Sequence, residues 1–308
     1  MKTALIHAFG GPEQVTLGNA DEPLLQPHEV LVRVAAASVN PLDVKIVASY
    51  MQQVFPVEFP YAVGTDFSGV VAAIGNQVTN VKMGDRVVGR SSPVRGGAFA
   101  QGVVIPAVDL CAPAANMSFE QAAALPTAFG TAWQALFDVG GLQSGQRVLI
   151  HAGAGGVGSF AIQLARRAGA HVIATASAAN LDLVKELGAH EAIDYRVQGF
   201  SHLSGIELVL DTIGGETLEK SWAVLRPGGR IATLADFAIQ GQDGKTGEFV
   251  FFKSATAALP EAMKMFEAGQ LQVVVDSSFA LEEVRAALEK VATGHARGKV
   301  LIRANHLD

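Results

Sequence analysis

Three glycines, Gly153, Gly155 and Gly158, stand at G-x-G-x-x-G spacing directly after the apolar run Val148-Leu149-Ile150. A strand that runs through such a cluster into a helix leaves backbone N–H groups at the helix N-terminus clear of side chains, so an anion can approach them. Val157, Phe160, Ala161, Leu164, Ala165 and Ala168 then recur at helical spacing, Gly169 stops the run, and 170–175 reads as a second strand. The whole unit has the form of a dinucleotide-binding turn, with Gly153, Ala154, Gly155, Gly156, Val157 and Gly158 facing a pyrophosphate. Its competing reading is a tight strand-to-helix turn with no ligand.

The end of the second strand bears on which dinucleotide would bind. An Asp or Glu about 20 residues past the glycines would grip a ribose 2′-hydroxyl, yet the text there is Ala176-Ser177-Ala178-Ala179-Asn180. No carboxylate stands ready to repel a 2′-phosphate, and Ser177 and Asn180 offer donors to one, which favours NADPH. No Arg or Lys lies between Arg167 and Lys185, so the preference expected is modest; Tyr195 and Arg196, at the end of the next strand, are further candidates. Ser177 and Asn180 would equally serve as caps of a helix starting near Leu181.

The elements that position these residues form two kinds of text. Val30, Val32 and Val34 alternate around Arg33, 69–75 is an apolar run bounded by glycine, and Arg86-Val87-Val88 follows a turn at Gly84, so the first hundred residues suggest a small barrel. Alanine-rich helical stretches begin near Ser118, and strand and helix alternate over 147–234, which signals a doubly wound parallel sheet. The tail reads as a helix over 258–268, a short strand over 273–275, a helix over 281–291 and a closing strand over 299–302. At the carboxyl ends of parallel strands, Thr212 and Ile213, and later Leu234 and Ala235, should border the cofactor's ribose.

At 308 residues the chain has room for two domains, and its 49% hydrophobic and 17% charged content is that of a globular protein. A net charge of -6 without any block of Lys or Arg offers no attraction to nucleic acid or anionic lipid. One cysteine, Cys111, excludes an intrachain disulfide and a multi-cysteine zinc site, which fits a reducing compartment. The N-terminal apolar run, Thr3 to Ile6, is too short for a signal-peptide core, and no stretch of about 18 apolar residues follows. The expectation is a cytoplasmic protein with neither membrane nor nucleic acid as partner.

Several segments together carry a family likeness: Ser38-Val39-Asn40-Pro41, Val63-Gly64-Thr65-Asp66-Phe67-Ser68-Gly69, Gly84-Asp85-Arg86-Val87-Val88-Gly89, Pro126-Thr127-Ala128-Phe129-Gly130-Thr131, the glycine loop, and Arg297-Gly298-Lys299-Val300. With them the chain resembles the medium-chain dehydrogenase/reductase superfamily and, within it, the zinc-free quinone oxidoreductases and enone reductases. The resemblance implies an α/β protein with a GroES-like β-barrel catalytic domain over 1–117 and 253–308. A Rossmann dinucleotide-binding domain over 118–252 would be inserted there, with the active cleft between the two. It also implies a homodimer paired through the edge of the dinucleotide sheet, for which 248–252 is the candidate strand.

Zinc-dependent members of that superfamily hold their metal with Cys and His beside a Glu; the matching positions here are Asn40, Thr65, Asp66 and Ala123. Only Asp66 could ligate zinc, so no metal is expected. The eight histidines form no ligand pair on a helix and read as surface or capping residues, and Cys111 reads as a buried or half-buried small hydrophobe. Without a Lewis acid, reduction of a simple ketone lacks a large part of the stabilisation its alkoxide-like transition state needs. Hydride delivered to a quinone, or to the far carbon of an α,β-unsaturated carbonyl, instead spreads charge over a phenolate or enolate that hydrogen-bond donors can hold.

The candidate donors are Asn40, Lys45 and Tyr50, with Asn40 the first choice. Lys45 resembles a lysine of the enone-reductase branch that faces the cofactor or the substrate carbonyl, set against a plain solvated lysine; Tyr50 reads equally as a pocket wall. Thr127 resembles a family threonine that approaches the nicotinamide, set against a helix cap. Two other functions stay open: an enoyl-thioester reductase, which the acidic balance disfavours, and a non-catalytic NADPH-binding structural or regulatory protein.

Overall fold

The computed structural model describes residues 1–19 and 24–304. In chain order the barrel text forms β1 (Lys2–Ile6), β2 (Thr16–Asn19), β3 (Glu29–Val39), α1 (Pro41–Val47), β4 (Tyr61–Ala62), β5 (Asp66–Ile74), β6 (Arg86–Arg90), β7 (Gly102–Pro106) and β8 (Leu110–Cys111). Two short helices follow, α2 (Phe119–Ala123) and α3 (Pro126–Trp133). The alternating text forms β9 (Arg147–Ile150), α4 (Gly156–Arg167), β10 (His171–Ala176), α5 (Leu181–Glu186), β11 (Glu191–Asp194), β12 (Ile206–Asp211), α6 (Gly215–Val224), β13 (Leu225–Thr233) and β14 (Thr246–Phe249). The tail adds α7 (Leu259–Glu267), β15 (Val275–Ala280), α8 (Val284–Ala292) and β16 (Lys299–Arg303).

The chain divides into two compact units, one of residues 1–127, 254–269 and 275–308, the other of 128–253 and 270–274. In the first, the described strands pair in the order β15-β16-β3-β5-β6-β8, with β7 also on β3, beside a sheet of β2-β1-β4. Val30, Val32 and Val34 point into one core with Phe67, Phe99, Val300 and Ile302, as their period-two spacing requires. The opposite face of β3 and β5 carries Ser38, Asp66 and Ser68, and α2 lies on it, with Ser68 Oγ donating to the Phe119 carbonyl at 2.6 Å. Residues 118–127, expected in the dinucleotide domain, therefore pack with the first unit.

The second unit holds one sheet of six described strands, all parallel, in the order β11-β10-β9-β12-β13-β14. Strand order reverses between β9 and β12, the switch point outside which such sheets bind dinucleotides. Val148, Leu149, Ile150, Ile173 and Val209 are completely buried, the near-continuous apolar text of strands covered on both faces. The expected strand over 273–275 starts only at Val275, because 270–274 is held by a side chain instead of a ladder. Gln163 Nε2 donates to the Gln272 carbonyl at 3.0 Å and its Oε1 accepts from the Gln272 N–H at 2.7 Å. Among the described residues no helix is long and apolar enough to cross a membrane.

Candidate functional site

In the first unit the polar groups converge on Asp66, which is 0% exposed at the start of β5. Its carboxylate accepts from the Thr127 N–H at 3.0 Å, from Thr127 Oγ1 at 2.7 Å and from Asn40 Nδ2 at 3.0 Å. Arg90 Nε lies 4.0 Å away and donates to Thr127 Oγ1 at 3.0 Å. Lys299, buried at the start of β16, donates to Asn40 Oδ1 at 2.5 Å and to the Val39 carbonyl at 3.2 Å. Asp43, buried in the first turn of α1, accepts from the Asn40 N–H at 2.7 Å and from Thr65 Oγ1 at 3.4 Å. Two carboxyls and two cations thus share one interior, an arrangement that holds only while each keeps its partners.

Asn40 is bonded at both ends of its amide inside this cluster, so it orients Asp66 and Lys299 and its donors are not turned to solvent. The physical reason is the need of a buried ammonium and a buried carboxylate for polar partners. Lys45 lies exposed on α1 and Tyr50, just past it, is 80% exposed. The structure therefore separates the three expected donors into one interior residue and two accessible ones. Thr127 does not cap a helix; its hydroxyl is held between Asp66 and Arg90. Thr65 and Ala123 supply no metal donor, and no group of three or more His, Cys, Asp or Glu among the described residues could hold an ion. This donor set does not fit zinc.

In the second unit the glycine turn follows β9. Ala152 sits at φ 51, Gly153 N–H donates to the Thr175 carbonyl at 2.8 Å, and Gly155 N–H to the Ala152 carbonyl at 2.9 Å. A Cβ at Gly158 would lie 2.2 Å from the Ala152 carbonyl oxygen, so the closure of the turn onto α4 requires glycine there. Gly155 is the N-cap and has no side chain with which to cap the helix. Ser159 makes the first backbone bond back to Gly155, which leaves the N–H groups of Gly156, Val157 and Gly158 for a ligand. Ala154 is buried within the turn. These residues fit the pyrophosphate of a dinucleotide, with the positive end of the helix behind it.

Parallel pairing sets Ala176 of β10 against Asp194 of β11, so Ser177 and Tyr195 come to neighbouring strand ends. Ser177 Oγ accepts from Asn180 Nδ2 at 3.2 Å, and neither side chain caps a helix. Arg196 Nε donates to the Tyr195 hydroxyl at 3.3 Å, which places a guanidinium beside this group. On the other side of the switch point, the buried Asp211 carboxylate accepts from the N–H groups of Ile213 and Gly214 and from Thr233 Oγ1 at 2.7 Å. The Asp211 carbonyl accepts from Leu234 N–H, and Thr233 Oγ1 accepts from Ala235 N–H. One side chain thus shapes both turns that carry Thr212, Ile213, Leu234 and Ala235.

One histidine departs from the expected surface role. His151, next after β9, is 1% exposed and its ring bonds Thr175 and Ser221. A parallel strand buries both faces, so a polar residue at its end is enclosed once a helix crosses over it. Asp211 and Lys299 were similarly visible only as members of motifs; their burial in strands was the missing signal. Burial holds the His151 ring down to about 4, against the Asp211 charge that pulls it upward. Burial pushes the Asp43 carboxyl the other way, up to about 7.

These two shifts oppose each other in stability. An unfolded imidazole takes up its proton near 6.5 and the folded His151 only near 4, so folding loses stability as pH falls through that window. Folded Asp43 takes up its proton near 7 and the unfolded carboxyl near 3.8, so folding gains stability over much the same range. Asp43→Asn should expose the histidine slope. Its unfolding free energy is expected to fall by up to about 1.4 kcal/mol per pH unit between about pH 6 and 4.5, while the parent profile stays flatter. Urea titrations at stepped pH measure this, and parallel profiles would count against it.

A six-stranded parallel sheet of this order, with a glycine turn at its switch point, defines a Rossmann-type dinucleotide-binding fold. Residues 26–116 match the family described as alcohol dehydrogenase GroES-like domain, and residues 187–302 match the one described as zinc-binding dehydrogenase. The mitochondrial NAD(P)H oxidoreductase RTN4IP1 of Danio rerio is 32% identical over 332 residues, covering 92% of this chain and 86% of the relative. The 2-methylene-furan-3-one reductase of Solanum lycopersicum is 33% identical over 296 residues, covering 92% and 74%. The structure of the quinone oxidoreductase from Coxiella burnetii superposes with a TM-score of 0.92 at 32% identity, covering 99% of both chains. The chain belongs to the medium-chain dehydrogenase/reductase superfamily.

Proposed function

We propose that the protein transfers a hydride from NADPH to a quinone, or to the C=C bond of an α,β-unsaturated carbonyl, without a catalytic metal. The observation that carries this reading is the composition of the first unit's polar cluster. Where zinc-dependent relatives place ligands, Asn40 donates to Asp66, Thr65 donates to Asp43 and Asp66 also accepts from Thr127, Ala123 offers no donor, and the glycine turn of the second unit is complete. Names of the relatives support the acceptor class, since quinones and 2-methylene-furan-3-ones are both conjugated carbonyl compounds.

The turn from Gly153 to Gly158 would hold the pyrophosphate, Ser177, Asn180, Tyr195 and Arg196 the adenosine phosphate, and the turns shaped by Asp211 the ribose. The nicotinamide supplies the hydride when bound. Lys45 and Tyr50, accessible on and beyond α1, are the donors available to an acceptor carbonyl, while Asp66, itself bonded by Asn40, and Arg90 fix the Thr127 hydroxyl. An acceptor that delocalises its developing charge needs only such donors.

The test is a side-by-side series of NADPH oxidation rates with a small quinone, an enone and the matching saturated ketone. The quinone and enone are expected to be reduced and the saturated ketone left nearly untouched; a saturated ketone as the best acceptor, or no turnover with any of them, overturns the reading. NADPH should be preferred over NADH by at least about tenfold, the worth of one hydrogen bond to a charged group. Ser177→Asp should reverse that preference by repelling the phosphate. Equal specificity constants for the two cofactors in the parent would remove the 2′-phosphate assignment.

A further inference from the structure

The His151 ring lies in a chain of hydrogen bonds whose protons can be assigned one by one. Ser221 Oγ donates its single proton to the Thr217 carbonyl at 2.7 Å, so at its 3.0 Å contact with His151 Nε2 the hydroxyl must accept. Nε2 therefore carries the ring proton. Burial keeps the ring neutral, which leaves Nδ1 bare to accept from Thr175 Oγ1 at 3.2 Å. With its proton turned toward the ring, Thr175 Oγ1 presents a lone pair to the Ala152 N–H at 3.3 Å. Ala152 is a non-glycine residue at φ 51, the left-handed backbone that opens the glycine turn.

We propose that His151 is a positioning residue for the dinucleotide: it orients the Thr175 hydroxyl so that this oxygen holds Ala152, and with it the glycine turn, in the shape that receives the pyrophosphate. The Phe200 ring, 4.6 Å away centroid to centroid, and Ser221 on α6 fix the imidazole from the other side. The His151 carbonyl also accepts from Thr212 Oγ1 at 3.2 Å, so the same residue ties the turn after β12 to the turn after β9. The inference rests on the reading that this turn binds a nicotinamide dinucleotide.

Two substitutions at one position separate positioning from packing. In His151→Asn the amide oxygen stands near the place of Nδ1 and can still accept from Thr175; in His151→Gln the amide reaches the place of Nε2 and keeps only the Ser221 bond. Both lose the ring against Phe200, so both should melt earlier by similar amounts. Affinity for NADPH, read on the full-length chain by nicotinamide fluorescence, should stay within about threefold of the parent for Asn and weaken at least about tenfold for Gln, the loss of one buried hydrogen bond. Thr175→Ser, which keeps the hydroxyl, should bind like the parent, and Thr175→Val should bind like the Gln variant.

Equal losses in the Asn and Gln variants, or a Thr175→Val variant that binds as tightly as the parent, would overturn the positioning role. If the parent binds neither NADPH nor NADH, it is the dinucleotide reading of the turn that fails, and the two results are told apart by the parent alone.

Discussion

Asp66→Ala is expected to destabilise the chain by about 3–5 kcal/mol, the cost of leaving buried charge without its partner, and to lower Tm by roughly 10 °C. The carboxylate serves two donors of Thr127 and one of Asn40, and stands beside Arg90. Its removal strands all of them in an interior that also holds the Lys299 ammonium. Adding Arg90→Met should recover part of the loss, because the stranded guanidinium goes with it. A coupling energy above about 1 kcal/mol between the two substitutions is the expected mark of a shared network. Calorimetry on the two single variants and the double variant decides the matter, and strict additivity would show that Asp66 and Arg90 do not act together.

The second large effect is expected at the glycine turn, where two substitutions should part stability from binding. A Cβ at Gly158 would meet the Ala152 carbonyl oxygen at 2.2 Å and the Gly153 Cα at 2.8 Å, all backbone atoms that cannot step aside singly. Gly158→Ala should weaken NADPH binding at least about a hundredfold, roughly 2.7 kcal/mol, and cost about 1–3 kcal/mol of stability through overpacking. At Gly155 the added Cβ meets only the Ala152 carbonyl oxygen, at 3.2 Å. Gly155→Ala should melt close to the parent and still bind NADPH more weakly, because its methyl stands at the helix N-cap that the phosphate approaches. If Gly158→Ala binds NADPH like the parent, the turn is not the pyrophosphate site.

Much of this architecture is legible in the amino-acid sequence. The alternation of apolar strands and amphipathic helices over 147–234 specifies a parallel sheet, and a parallel sheet with a glycine turn after its first strand leaves little choice of topology. The period-two valines of β3 mark a strand of the barrel, and the structure places them in the core of the first unit. Local patterns of this kind are readable because 3.6-residue and 2-residue periodicities are properties of neighbouring residues.

What only the tertiary structure decided is which polar residues meet. Thr127 and Asp66 are 61 positions apart and Lys299 and Asn40 are 259 apart. Nothing local to Asn40 shows that its amide is spent on an ammonium at the far end of the chain. Register decides it: Val300 lies opposite Val39, which carries Lys299 onto Asn40. The sequence shows no ligand pair among the histidines, which reads as surface or capping roles, yet His151 is 1% exposed. Its burial depends on α6 bringing Ser221 over the strand end to accept the ring proton. Pattern can assign a residue to a face, but the partner that makes burial of a polar group affordable comes from another element, and only the packing of the whole unit supplies it.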